Sequence, residues 1–423
     1  MSFQITSKKA RVIENIFICL LALIIFISCF KPFMAGSGQI GITAKPLEII
    51  DRPFYINDSD PLRPIAKDQG GPLYPKVLQG ISFISIKLFN QSSTSPLWNS
   101  LTIMLSSLLS FLTLRLIYAS GKLFDDESTG TVAMAIFAAC PYTYIYALSG
   151  GLTIYTLFGT SLCTYLILKL NRNQPYPEVK RKNLLIRILI SLSLIYMAFL
   201  RPSSIIFSIV IGITMILIEL INFMKINKNK KLLFINIFLL VIPIAIAMHQ
   251  LIETKVYTIN AINAFQNEQG TFMGYSRELI RTKIRILQNS SIIKDQFQGY
   301  LYQFIWKIND FFTGIIDIRD THSPFQESLL PFLARVSFGT FFMAPITYIS
   351  LLGTFIFRKY LLSSSLWICL CATFISISPS LMGVSMSRYY FMFITPILLI
   401  TSFTIKKAYV LSISFEHKED ANK

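Results

Sequence analysis

Long apolar runs alternate with short polar stretches along nearly the whole chain. A run of about 20 apolar residues is enough to cross the hydrocarbon core as a helix. Such runs fall near 16–35, 97–119, 130–148, 152–170, 186–200, 203–223, 232–251, 333–357, 361–383 and 389–405. The pattern predicts an all-α polytopic membrane protein of about ten transmembrane helices with two large extracytoplasmic loops. The first run follows a basic flank, Lys8, Lys9 and Arg11, as the core of a signal peptide would. Its length and the runs that follow it read instead as an uncleaved signal anchor.

The basic residues are not spread evenly over the connections. One set of alternate connections carries Lys8, Lys9 and Arg11; Lys122; Lys169, Arg172, Lys180, Arg181, Lys182 and Arg187; Lys225, Lys228, Lys230 and Lys231; Arg358 and Lys359; and Lys406 and Lys407. The short connections of the other set carry only Arg201 and Arg388. Lysine and arginine accumulate on the cytoplasmic side, so both termini are expected in the cytoplasm of a cell (inner) membrane. The long segments 36–96 and 252–332 then lie outside. The chain divides into an N-terminal transmembrane module with the first outer loop (1–251), a large outer loop (252–332), C-terminal helices (333–405) and a cytoplasmic tail (406–423).

Composition supports this reading. Hydrophobic residues make up 53% of the chain and charged residues only 14%, against about 25% charged in a soluble domain. Little of such a surface is built for water. The formal net charge of +17 would point to nucleic acid on a soluble protein. Here it sits in short loops between spans, and no nucleic-acid partner is expected. The six cysteines all lie in apolar runs, and there are only three histidines. Neither a disulfide framework nor a metal site follows from them.

No span carries an ionisable residue near its middle. Arg115, Lys169, Arg187, Glu219, His249 and Arg335 fall toward span ends, where side chains snorkel to the interface. That argues against a proton-coupled pump and moves the expected chemistry to the outer boundary. The first outer loop carries Glu48, Asp51, Asp58, Asp60 and Asp68. An aspartate held at the membrane surface can act as a general base toward an acceptor hydroxyl, or help place a divalent cation on a phosphate; loop aspartates also simply cap turns. No metal ligand set is assigned, and a divalent cation is the one cofactor left open. Within the loops, 75–89 reads as an interfacial helix. Arg277, Arg281 and Arg285 share a helical face, which also reads as a solvated surface. The stretch 300–312 is rich in aromatics, as interfacial segments are. "FDDES" (124–128) looks like a sugar-nucleotide metal motif, but a tight turn opening the next helix favours acids for structural reasons.

Asp51 followed by Tyr55 and then "GGPLYP" (70–75) resembles the first outer loop of the bacterial GT-C glycosyltransferases. These include the protein mannosyltransferase-like and lipid A aminoarabinose transferase-like enzymes. "KLFDDESTGTVAMAIFAACPYTYIYA", with Pro141, is similar to that family's cytoplasmic turn and third helix. "FLRPSSIIF" (199–207) is similar to its Arg-Pro at an outer junction, and "SRYYFMFITPILLI" (387–400) to the Arg-Tyr start of a late span. A second acid common after the third span is missing; Thr153 stands near its place.

The resemblance implies transfer of a sugar from a polyprenyl-phosphate-linked donor in the membrane lipid to an envelope glycan, lipid or protein acceptor. It implies Asp51 as the base, with Asp58 and Asp60 as alternatives. Arg201 and Arg388 would meet the lipid phosphate, helped by Arg277 and Arg281, with Tyr55 and Tyr74 lining the substrate. The bland reading of Arg201 and Arg388 is snorkelling to outer headgroups. The rival functions are an O-antigen-type polysaccharide polymerase and a lipid-linked sugar flippase or transporter.

Overall fold

The computed structural model describes residues 7–34, 72–90, 96–149, 151–172, 180–226, 230–253, 284–302, 342–382 and 390–421. Among the described residues every regular element is helical. The bundle helices are α1 (Ser7–Met34), α2 (Leu73–Phe83), α3 (Pro96–Phe124), α4 (Glu127–Ala139), α5 (Pro141–Ser149), α6 (Leu152–Arg172), α7 (Lys180–Ala198), α8 (Pro202–Ile226) and α9 (Lys230–Glu253). They continue with α10 (Ala344–Ile356), α11 (Arg358–Ser363), α12 (Leu366–Met382) and α13 (Ile394–Ala421). Among the described residues five helical stretches are long and apolar enough to cross a membrane: Ser100–Phe124, Leu152–Asn171, Pro202–Ile221, Leu233–Glu253 and Ile394–Ile413. Asn183–Ala198, Ala344–Ile356 and Leu366–Ser378 are apolar but shorter.

The run read as one span over 130–148 is two helices. Cys140 precedes Pro141 and is driven to extended backbone, φ −73° and ψ 118°, as a residue before proline is. The carbonyls this break leaves open are taken up locally. Thr143 Oγ1 donates to the Phe137 carbonyl at 2.9 Å, and the Tyr144 hydroxyl to that of Ala138 at 2.7 Å.

α6 and the first half of α13 form the centre of the bundle. Both are lined with small hydroxyl residues that let helices approach closely. Thr160, Ser161, Thr164, Thr395, Thr401 and Ser402 are all buried. The hydroxyls of Ser161 and Thr395 meet at 2.6 Å across the α6–α13 contact. α3 packs on α4 and α6, α7 on α6 and α9, α8 on α9 and α12, and α10 on α13. Gly121 of α3 and Gly130 of α4 cross so closely that a Cβ on either would collide with the other's backbone.

One end of the bundle is closed at the α3–α4 turn. Asp126 caps α4, its Oδ1 accepting from the Thr129 N–H at 3.0 Å. Lys406 Nζ reaches Asp125 Oδ2 at 2.6 Å and Asp126 Oδ2 at 2.5 Å. The Tyr360 hydroxyl donates to the Phe124 carbonyl at 3.1 Å, and its ring stacks on Phe403. Asp125 and Asp126 of "FDDES" are thus engaged in capping and in holding α13, and Glu127 pairs with Lys122 at 3.8 Å.

The expectation that span acids and bases snorkel is corrected at one place. Arg187 of α7 and Glu219 of α8 pair at 2.7 Å with side chains only 12% and 5% exposed. Asn236 of α9 donates to Glu219 Oε2 at 3.3 Å. Glu219 turns into the protein because a partner charge and an amide on neighbouring helices await it there.

The segment 75–89 is helical as expected, α2 continuing as a π-helical turn over Ile84–Leu88. Leu78 and Ile81 are buried while Phe83, Ile84, Leu88 and Phe89 face outward. Asn90, at φ 51°, ends it in the left-handed conformation common after helices.

Candidate active site

The end of the bundle opposite Lys406 is organised by the junction between α7 and α8. Pro202 opens α8, where its missing N–H costs nothing and its fixed φ already suits the helix. Ser204 closes the first turn: its hydroxyl donates to the Arg201 carbonyl at 2.8 Å and accepts the Arg201 N–H at 3.1 Å. This geometry carries the Arg201 side chain inward. The residue is 7% exposed, and Nη1 lies 3.2 Å from Met392 Sδ. An arginine so enclosed is held by protein and not by lipid headgroups, which sets aside snorkelling as its explanation.

Met392 belongs to a short clasp, 390–393, just before α13. Its carbonyl accepts from Thr160 Oγ1 of α6 at 2.7 Å. The Tyr390 hydroxyl meets Thr347 Oγ1 of α10 at 2.7 Å. The Phe391 ring packs against Tyr146 and Tyr142 with centroids 5.1 and 6.0 Å away, and Phe393 against Phe207 at 5.5 Å. Four consecutive residues thereby tie α13 to α10, α5, α6 and α8.

The chain arriving from the first loop is fastened at the same junction. The Leu73 N–H donates to the Phe199 carbonyl at 3.0 Å. Tyr74 is fully buried and meets Tyr155 of α6 edge-on, with centroids 5.2 Å apart. The Tyr155 carbonyl accepts from the Tyr196 hydroxyl of α7 at 3.0 Å. α2 therefore starts wedged between α6 and the α7–α8 turn that bears Arg201.

Of the residues singled out from the sequence, Tyr74 and Arg201 are brought to one junction. Asp51, Tyr55, Asp58, Asp60, Arg277, Arg281 and Arg388 lie outside the described residues. Arg388 precedes the clasp by two positions, and Arg285 sits exposed in a helical segment, 284–288. Sequence reasoning missed Tyr155, Tyr196 and Met392. All stand in apolar runs, where a buried tyrosine or methionine reads as core, and only the run's contacts reveal the network. Among the described residues no group of three or more His, Cys, Asp or Glu side chains is placed to hold a metal.

In sequence, no family model and no curated protein matches the chain. In structure it resembles the apo crystal structure of the Archaeoglobus fulgidus oligosaccharyltransferase. The TM-score is 0.50 at 12% identity, covering 96% of this chain and 52% of that one. The oligosaccharyltransferase AglB of the same organism, in complex with an inhibitory peptide and a dolichol-phosphate, aligns with a TM-score of 0.49 at 13% identity. The chain spans about half the length of each, 52%. With the apo oligosaccharyltransferase it shares a fold.

Proposed function

We propose that the chain is a membrane glycosyltransferase that moves a sugar from a polyprenyl-phosphate donor to an extracytoplasmic acceptor of the cell envelope. The observation that carries this reading is the Leu73–Phe199 hydrogen bond. It delivers the end of the acidic first loop to the junction whose buried arginine can face a phosphate. The fold shared with the oligosaccharyltransferase supports glycosyl transfer as the chemistry.

In this reading the chain crosses the inner membrane about ten times with both termini inside, and the Arg201 end faces outward. The acceptor is an envelope glycan, lipid or protein. Asp51, or Asp58 or Asp60 beside it, takes the proton of the acceptor hydroxyl. The freed oxygen bonds to the anomeric carbon of the sugar. The bond from that carbon to the phosphate oxygen breaks, and its electron pair leaves with the polyprenyl phosphate. Arg201 and Arg388 stabilise the charge that develops there, for which the planar guanidinium fork suits phosphate oxygens. Arg277, Arg281 and Tyr55 complete the substrate surface, and Tyr74, locked against Tyr155, holds the loop's end in register. No step requires a metal, although a divalent cation on the donor phosphate is compatible with the loop acids.

A second reading, a lipid-linked sugar flippase or transporter, is favoured by the buried Arg187–Glu219 pair, since ionisable residues inside spans mark transport paths. Reconstitution separates the two. The chain is placed in vesicles with labelled polyprenyl-phosphate sugars and a panel of envelope acceptors. Label covalently joined to acceptor is the expected result. Lipid-linked label that only changes leaflet overturns the transferase reading.

A further inference from the structure

The helical hairpin over 284–302 holds hydrogen-bonded polar side chains at its turn and carries a row of exposed apolar side chains on its second segment. The turn is well built. The Ser290 hydroxyl donates to Asp295 Oδ2 at 3.1 Å and accepts the Ile292 N–H at 3.2 Å. Gln296 Nε2 donates to the Ser290 carbonyl at 2.8 Å. The two helical segments meet at Gly299, where a Cβ would stand 2.9 Å from the Gln288 backbone nitrogen. Asp295, Gln296 and Gly299 therefore define the packed face of 293–302.

Ile293, Phe297, Tyr300 and Leu301 recur at i, i+4, i+7 and i+8, which makes one continuous stripe away from that face. They are 82, 69, 60 and 42% exposed, and Ile286 and Ile292 are exposed beside them. An apolar stripe of this kind marks an interaction surface.

The place of the hairpin in the chain identifies the occupant. α9 ends at the Arg201 end of the bundle, because Ala247 packs with Ala198 and Ile205. Met343, near the start of the next described segment, lies one turn before Thr347, whose hydroxyl meets Tyr390 of the clasp. The described helices on either side of the hairpin thus end and begin at the same end of the bundle. Arg285 and Lys294 are exposed on the hairpin, a charge complement to anionic headgroups. Tyr300 and Tyr302 are exposed with them, and tyrosine favours the interface.

We infer that 284–302 is an interfacial foot that lies in the outer headgroup layer. Ile293, Phe297, Tyr300 and Leu301 enter the acyl boundary, and Arg285 and Lys294 meet lipid phosphates. The inference rests on the chain being embedded in a membrane and not on the reaction it performs.

Photocrosslinking in the full chain tests it. p-Benzoylphenylalanine replaces Ile293, Phe297, Gln298 or, as a bundle control, Phe238, which is 56% exposed on α9. Each variant is reconstituted in phosphatidylcholine vesicles with a minority of phosphatidylglycerol, irradiated and read by mass spectrometry. Phospholipid adducts at positions 293 and 297 should match those at 238. They should exceed those at 298 by roughly tenfold, the ratio that burial of one large apolar side chain sets. Adducts to the chain's own peptides at 297, or no excess over 298, with lipid captured at 238, overturn the foot alone. Absence of lipid adducts at 238 as well overturns the membrane reading with it.

Discussion

Arg201 and Met392 touch through a guanidinium nitrogen and a thioether sulfur 3.2 Å apart. The contact joins the first residue before α8 to the clasp before α13, 191 positions further along the chain. The sulfur is soft and polarizable, and the contact helps hold the guanidinium inside the bundle.

If that charge steadies the departing lipid phosphate, Arg201→Ala should lower kcat by a factor of roughly 10²–10³, the cost of losing one preorganised donor to a developing anion. Arg201→Lys keeps the charge but loses the bidentate fork, and should recover only part of the rate. Turnover at saturating donor, with thermal unfolding followed in parallel, distinguishes lost chemistry from lost packing. Unchanged kcat in the alanine variant would remove Arg201 from the mechanism.

The Arg187–Glu219 pair should behave as a buried ion pair. Glu219→Ala leaves the arginine uncompensated and should cost about 3–5 kcal/mol. Replacing both, Arg187→Met with Glu219→Leu, should restore most of that stability, because a packed apolar pair avoids the desolvation penalty. Thermal unfolding of Arg187→Met, Glu219→Leu and the double variant closes the cycle. The double variant also bears on function. A glycosyltransferase keeps its activity without the pair, whereas a transporter that uses it does not.

Asp126 gives the opposite end of the bundle a pH dependence. Burial opposes its ionisation, yet hydrogen bonds from Lys406 and from the Thr129 N–H outweigh that and hold its carboxyl below the usual range. A folded-state value below the unfolded one, about 3.9, gives stability that is full above the unfolded value. It is lost as pH falls through the lower folded value. The effect is small, since the side chain is 47% exposed. Asp126→Asn should retain the helix cap and flatten the acid limb of the melting curve. Asp126→Ala should also lose about 1 kcal/mol of capping. Midpoints followed from neutral pH down through the carboxylate range decide the matter.

The helices were legible because backbone groups in an apolar run must satisfy one another, which makes hydropathy alone informative. The break at Pro141 was visible as a residue but not as a boundary, since proline also occurs within membrane helices; Pro243 inside α9 is such a case. The Arg187–Glu219 pair was not legible. Each residue lies near the end of its own run, and pairing between two runs is a tertiary fact. At the candidate site, Tyr74 and Arg201 stood out because a motif and a charge bias drew attention to them. Tyr155, Tyr196 and Met392 did not, because inside an apolar run nothing in the sequence separates a core side chain from one that braces a site.

The two tyrosines that brace the first loop should respond differently to loss of their hydroxyls. The Tyr196 hydroxyl donates to the Tyr155 carbonyl at 3.0 Å, so Tyr196→Phe removes a buried hydrogen bond and should cost about 0.5–1.5 kcal/mol. The Tyr155 hydroxyl is buried with no hydrogen-bond partner among the described residues. Tyr155→Phe therefore removes an unmet polar group, keeps the edge-on contact with Tyr74, and should be neutral or stabilising. Thermal unfolding of both variants tests this, and a loss in Tyr155→Phe equal to that in Tyr196→Phe would show that the hydroxyl has a protein partner after all. Turnover measured on the same samples adds a second reading. A Tyr155→Phe chain that melts like the parent yet transfers sugar more slowly would place that hydroxyl against substrate.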